Sequence, residues 1–187
     1  MMHPATRLQP SRSDIHGTRQ GFVPKMPKPV IKVKAKEPAT LAGIQAFEAL
    51  VGNPLPAIYR EFLLQTNGGR PKPFQFQYLS HKSEKLTKSG VDTFFHLGKG
   101  EHNLQSEFQR STKDNILPKG YLPIAYDSFG DLICLALDGK DQGAVKWIPT
   151  DMGLLEYGSD GFVTEKTARY IAPSWDEFLE AFGEFAD

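Results

Sequence analysis

The residues able to do chemistry are few and scattered. Five histidines stand at 3, 16, 81, 96 and 102, and a single cysteine at 134. No His-Glu-x-x-His run is present, nor any Cys/His spacing of the kind that holds zinc, so the sequence offers no metal site. Cys134 lies in Leu132-Ile133-Cys134-Leu135, the setting of a small buried hydrophobe rather than of an activated thiol. It also lacks an internal disulfide partner, which agrees with a reducing compartment. Gly98-Lys99-Gly100 lacks the strand-to-helix frame of a phosphate loop and reads as a turn. No G-x-S-x-G elbow occurs. Asp127 and Asp131 are spaced as paired carboxylates might be, but they flank Ser128-Phe129-Gly130, and acids in a hairpin turn ordinarily accept hydrogen bonds from their own backbone. No catalytic residue and no cofactor are expected from this inventory.

Charge bounds the partners. The 187 residues sum to zero, yet residues 1–36 hold eight basic side chains against Asp14, a net +7, and residues 37–187 carry 14 basic against 21 acidic, a net −7. An acidic domain favours encounter with a basic partner and disfavours nucleic acid. No stretch approaches the ~20 apolar residues of a membrane span. The first thirty residues lack the apolar run of a secretory signal, so cytoplasmic residence is expected.

Residues 1–36, rich in Pro, Arg and Ser, hold too little apolar surface to offset their ordering entropy and read as a largely disordered basic tail. The tail is a solvated arm, or upstream codons ahead of Met26. Its last part, Ile31 to Lys36, alternates apolar residues with lysines. An extended linker is the favoured reading there, with a lysine-protected edge strand as the alternative.

Residues 37–187 read as one domain. Thr40 caps a first helix on which Leu41, Ile44, Phe47 and Val51, with Leu50 alongside, fall near one face, and Gly52-Asn53-Pro54 ends it. A second helix starts at Pro56, buries Tyr59, Phe62 and Leu63, and stops at Asn67-Gly68-Gly69. Strand patterns follow at Phe74–Tyr78 and Phe94–Leu97, then a short helix from Asn103 to Arg110 that buries Leu104 and Phe108. Leu122–Tyr126, the non-alternating run Leu132–Leu137 and Ala144–Ile148 complete a meander, the middle run being apolar enough to be covered on both faces. The chain closes on a helix with the capping box Ser174/Glu177 and the stripe Trp175, Phe178, Leu179 and Phe182.

This order, with its residues, resembles the SMI1/KNR4 (SUKH) superfamily. Leu55-Pro56, Tyr59 with Phe62-Leu63, and Asn67-Gly68-Gly69 are similar to the family's opening. Leu122-Pro123-Ile124-Ala125, Asp127, Gly130-Asp131 and Leu132–Leu135 resemble its central hairpin, Val145-Lys146-Trp147 the strand after it, and Ile171–Leu179 its closing helix. Phe129 departs by standing where the family often has Gly. The resemblance implies an α+β fold, a mostly antiparallel sheet packed by N-terminal and C-terminal helices, and a non-enzymatic protein-binding module.

Bacterial members are typically immunity proteins that neutralise a cognate toxin, often a nuclease, by direct contact; fungal relatives are regulatory adaptors. The immunity reading, joined to the −7 domain, makes the expected partner a toxin with a basic surface. Its candidate contacts are Asp127, Asp131, Asp138 and Asp141 at the hairpin ends, and Glu177, Glu180 and Glu184 on the last helix. A scaffold that uses its basic tail is the alternative. A small hydrolase or nucleotide-binding enzyme is the least supported.

Overall fold

The computed structural model describes residues 32–79 and 85–185. The expected disorder of residues 1–31 lies outside them. Helix α1 spans Leu41–Val51; Thr40 Oγ1 accepts from the Gly43 amide at 3.1 Å, and Gly52 closes the helix at φ 81°. Helix α2 runs Ala57–Gln65 behind Pro56, burying Tyr59, Phe62 and Leu63. The two are tied by Glu48, which accepts from the Leu55 amide (2.8 Å) and from Arg60 Nη2 (2.5 Å).

Asn67-Gly68-Gly69 is a stop signal and something more. Asn67, at φ 49°, is buried, and its side chain donates to Glu37 O (2.7 Å) and Leu97 O (2.8 Å) while accepting from Leu97 N (2.8 Å). One amide thus joins the entry to α1, the end of α2 and the loop before α3. Satisfying all of these backbone groups away from water is what makes so polar a residue tolerable in the interior.

The strands are β1 (Lys32–Ala35), β2 (Gly69–Lys72), β3 (Gln75–Leu79), β4 (Leu86–Phe94), β5 (Tyr121–Asp127), β6 (Leu132–Ala136), β7 (Val145–Ile148) and β8 (Arg169–Ala172). All pair antiparallel in the order β1-β2-β4-β5-β6-β7-β8, with β3 on the first half of β4. Lys32–Ala35 is therefore an edge strand opposite Gly69–Lys72 and not the linker that its composition favours. The expected strand over Phe94–Leu97 is corrected as well: β4 ends at Phe94, and His96 makes only an isolated bridge to Asn103. Helix α3 (Leu104–Lys113) crosses from β4 to β5, its Asn103 cap accepting from Ser106 N at 3.0 Å.

Strand β6 is buried at all five positions and separates two cores. Ile133 and Leu135 point to the larger one, which α1, α2 and α4 (Trp175–Glu180) cover. Leu132, Cys134 and Ala136 point to the other, closed by Leu117, Leu155 and Val163. Burial pushes the Cys134 thiol well above its ordinary range, in keeping with an inert apolar filler. Trp175 meets Tyr59, Phe62 and Phe94 at ring separations of 4.8–5.1 Å, which locks the last helix to α2 and β4.

Helix α4 is shorter than the apolar stripe suggests. It stops at Glu180, and Phe182 reaches the core as the bridge partner of Phe76, with Gly183 N donating to Gln75 O at 3.0 Å. The tail of the chain thus adds to the edge of β3.

Candidate partner-binding surface

The seven candidate carboxylates divide into three settings. Asp127 faces inward. It is 5 % exposed, its Oδ1 accepts from Phe129 N (2.8 Å) and Asp131 N (3.0 Å), and its Oδ2 accepts from Ser89 Oγ (3.1 Å) and Trp147 Nε1 (3.2 Å). The first pair folds the β5–β6 turn, as the Asx-turn reading requires. The second pair ties that turn to β4 and β7. With both oxygens filled, Asp127 offers a partner nothing and is withdrawn from the contact set. Its neighbour Asp131 is half-buried and accepts from Thr150 N (2.8 Å) and Thr150 Oγ1 (3.2 Å). Burial raises its carboxyl above the ordinary range, the Thr150 amide pulls it back, and the charge of Asp127 adds to the rise.

Asp138 and Asp141 lie at the opposite end of the sheet, because β6 separates the β5–β6 turn from the β6–β7 turn. Asp138 is exposed. Asp141 pairs with Lys146 Nζ at 2.6 Å, which holds its carboxyl below the ordinary range. Lys146 is itself buried on β7 and its ammonium lies 4.9 Å from the Tyr170 ring centroid.

Glu177 and Glu180 are exposed on α4, and Glu184 is exposed but lies beyond the helix end rather than on it. Glu177 is close enough to Tyr170 to act on its phenol, which desolvation pushes up first and the carboxylates of Glu177 and Asp141 push further.

The structure therefore gathers Asp141 and Glu177 around Tyr170 and places Asp127 and Asp131 elsewhere. Tyr170 is 48 % exposed on β8, the strand that ends the sheet opposite β1. Tyr121, at the start of β5 and on the side of the strands where Asp138 and Asp141 lie, has its hydroxyl pushed up to about 12 by burial and by Glu165, Asp141 and Asp138. Sequence reasoning missed Tyr170 and Glu165. The only signal for Tyr170 is the four-residue Arg169-Tyr170-Ile171-Ala172, too short to show alternation. At the far end Phe129 is 77 % exposed at the tip of the β5–β6 turn.

The arrangement supplies contact chemistry: an aromatic ring with a polar tip on an edge strand, rimmed by carboxylates. Among the described residues, no three His, Cys, Asp or Glu side chains are grouped to hold a metal ion, and no helix is long and apolar enough to cross a membrane.

A search of curated proteins found no match to the chain. The profile of the SMI1 / KNR4 family (SUKH-1) matches residues 38–181, from the entry to α1 through the last turn of α4. With the helices, the antiparallel meander and the closing helix all inside that span, the chain belongs to the SMI1/KNR4 family, SUKH-1.

Proposed function

We propose that this protein is a non-catalytic immunity protein that neutralises a cognate toxin by covering it with the Tyr170 face. The observation that carries the reading is the concentration of Asp141, Glu177 and the half-exposed Tyr170 on one edge of a SUKH-1 domain. An exposed aromatic that a partner can bury, ringed by charge, is the usual composition of a binding hot spot, and the acidic rim complements a basic surface such as a nuclease presents. Asp138, Glu180 and Glu184 are exposed and remain candidate contacts outside the pair Asp141 and Glu177, and Asp131 stands at the other end of the strands.

Co-expression with the product of the neighbouring gene tests this. Growth is restored by the wild-type chain and lost with the double substitution Tyr170→Ala, Glu177→Lys, while the circular dichroism of the variant stays native. A neighbouring product that is harmless alone, or protection indifferent to both substitutions, refutes the proposal.

A further inference from the structure

The ribbon formed by β1 and β2 carries a charge pattern that the acidic face does not explain. Its register sets Lys32 opposite Lys72 and Lys34 opposite Arg70. Like charges directly opposite across an antiparallel pair destabilise it, and here two such pairs follow one another on the same side of the ribbon. Val33, between them, turns the other way and packs on the core. All four cations are exposed. Arg70 has one acidic neighbour, Asp92 at 3.4 Å, and both members of that pair are open to solvent, where such pairs contribute little.

The ribbon forms one wall of a cleft of about 510 Å³. Lys34, Lys36 and Arg70 come from the ribbon and its continuation, and Lys99 comes from the facing Gly98–Gly100 turn. Buried His96 braces that turn, its ring Nε2 3.2 Å from Lys99 O. Against these four cations the lining holds one carboxylate, Glu101. The cleft is a concentrated positive site in a chain whose residues 37–187 sum to −7.

We infer that this cleft binds an extended acidic segment of a protein partner, laid along β1. Three considerations select that occupant. Lys32 and Lys34 on β1, and Lys36 one residue past its end, recur every second residue, about 6.6–6.8 Å apart where the chain is extended, the repeat at which an extended peptide presents alternate Asp or Glu side chains. Lys34 and Lys36 line the cleft, and Lys32 prolongs the row beyond it. Among the described residues strand β1 ends the strand order, and an outer edge of that kind can accept main-chain hydrogen bonds from an added strand. A single phosphate engages one or two cations and leaves the rest of the row uncompensated. Single-stranded nucleic acid favours a series of aromatic platforms for its bases, and the lining holds no Phe, Tyr or Trp, its two rings being His96, which is buried, and His102, which is stacked on Phe95. The inference rests on the protein-binding reading but not on toxin neutralisation, since it uses the opposite edge of the sheet and the opposite charge.

Fluorescein-labelled hexaglutamate is the probe, titrated with the full chain at about 20 mM salt, where screening is weak, and followed by anisotropy. Saturable binding is expected. The double variant K34E/R70E should weaken it by about tenfold or more, equivalent to about 1.4 kcal/mol. The equal charge change K113E/K140E, away from the cleft, should move it by less than about twofold. K36S/K99S, which touches neither strand pair, should weaken binding by about three- to fivefold and serves if K34E/R70E does not fold. Absence of saturable binding, equal loss in both charge-reversal variants, or displacement of the probe by a dodecameric oligothymidylate at lower concentration than by unlabelled hexaglutamate overturns the inference. Absence of saturable probe binding by a wild-type chain that still protects growth removes the cleft assignment alone; saturable binding by a wild-type chain that does not protect removes immunity alone.

Discussion

Replacing Asp127 by alanine leaves four donors facing an empty site: the amides of Phe129 and Asp131, the Ser89 hydroxyl and the Trp147 indole. At roughly 1 kcal/mol for each buried donor stripped of its acceptor, the expected loss is about 4 kcal/mol. For a domain of this size that corresponds to a fall of about 8–16 °C in Tm. Asp127→Asn is milder and more informative. Its Oδ1 still accepts from the two amides, and Ser89 can rotate to accept from the new NH2 group. The indole of Trp147 is a donor only and now meets another donor, so the loss reduces to about 1–2 kcal/mol. Adding Trp147→Phe to Asp127→Asn should then cost less than the sum of the two single changes, because the conflict has gone. Urea unfolding followed by far-UV circular dichroism measures all four variants, Asp127→Ala, Asp127→Asn, Trp147→Phe and the double, without relying on the altered tryptophan. If Asp127→Ala lies within about 0.5 kcal/mol of the wild type, or if the double variant is strictly additive, the carboxylate is not the hub its geometry describes.

Two carboxylates should respond to pH with opposite signs, and one glycine guards an edge. Asp141 is held below its ordinary range by Lys146, so it stabilises the fold above the unfolded-state value and loses that contribution as pH falls through its folded value. Asp131 is raised by burial, so its ionisation costs stability that is absent in acid and fully present above its folded value. Urea midpoints between about pH 3 and pH 7 should therefore show Asp141→Asn falling behind the wild type as pH rises and Asp131→Asn gaining on it; identical profiles for the two variants refute the assignment. Gly69 adopts φ 117° directly beneath Lys34 O, where an added methyl group has no space. Gly69→Ala should release β1 and expose Lys32 and Lys34 to trypsin while α2 and α4 stay protected; unchanged cleavage would count against the pairing.

The helices were legible because each carries its own punctuation. Thr40, Pro56 and Ser174 mark starts, Gly52 and Asn67 mark ends, and the apolar stripes match the buried residues in α2 and α4, whereas in α1 only Ile44 and Phe47 are buried and Leu41 and Leu50 stay exposed. Strands β5, β6 and β7 were legible as apolar runs parted by Asp-Gly turns. Strands β2 and β8 and the first half of β4 were not. Gly69-Arg70-Pro71-Lys72 has the composition of a loop, and Leu86-Thr87-Lys88-Ser89-Gly90 shows no alternation. Each is a strand because of what it pairs with, information that lies tens of residues away. The same limit governs the surface. Composition identified Asp127 and Asp141 as acids at turns, yet only the fold shows one spent on the interior and the other set beside Tyr170.

The order of the sheet also dictates what a growing chain can bury. From β4 onward each strand pairs with the one before it, so the hairpins can close as they leave the ribosome. The aromatic cluster cannot. Phe62, Phe76 and Phe94 are all made before Trp175, Phe178 and Phe182, and until those last rings arrive the part of the larger core beside α1 and α2 that α4 covers stands open. Through most of synthesis the sheet is closed by α1 and α2 alone, and the wait for residues 175–182 is the interval in which open apolar surface gives the chain most need of a chaperone.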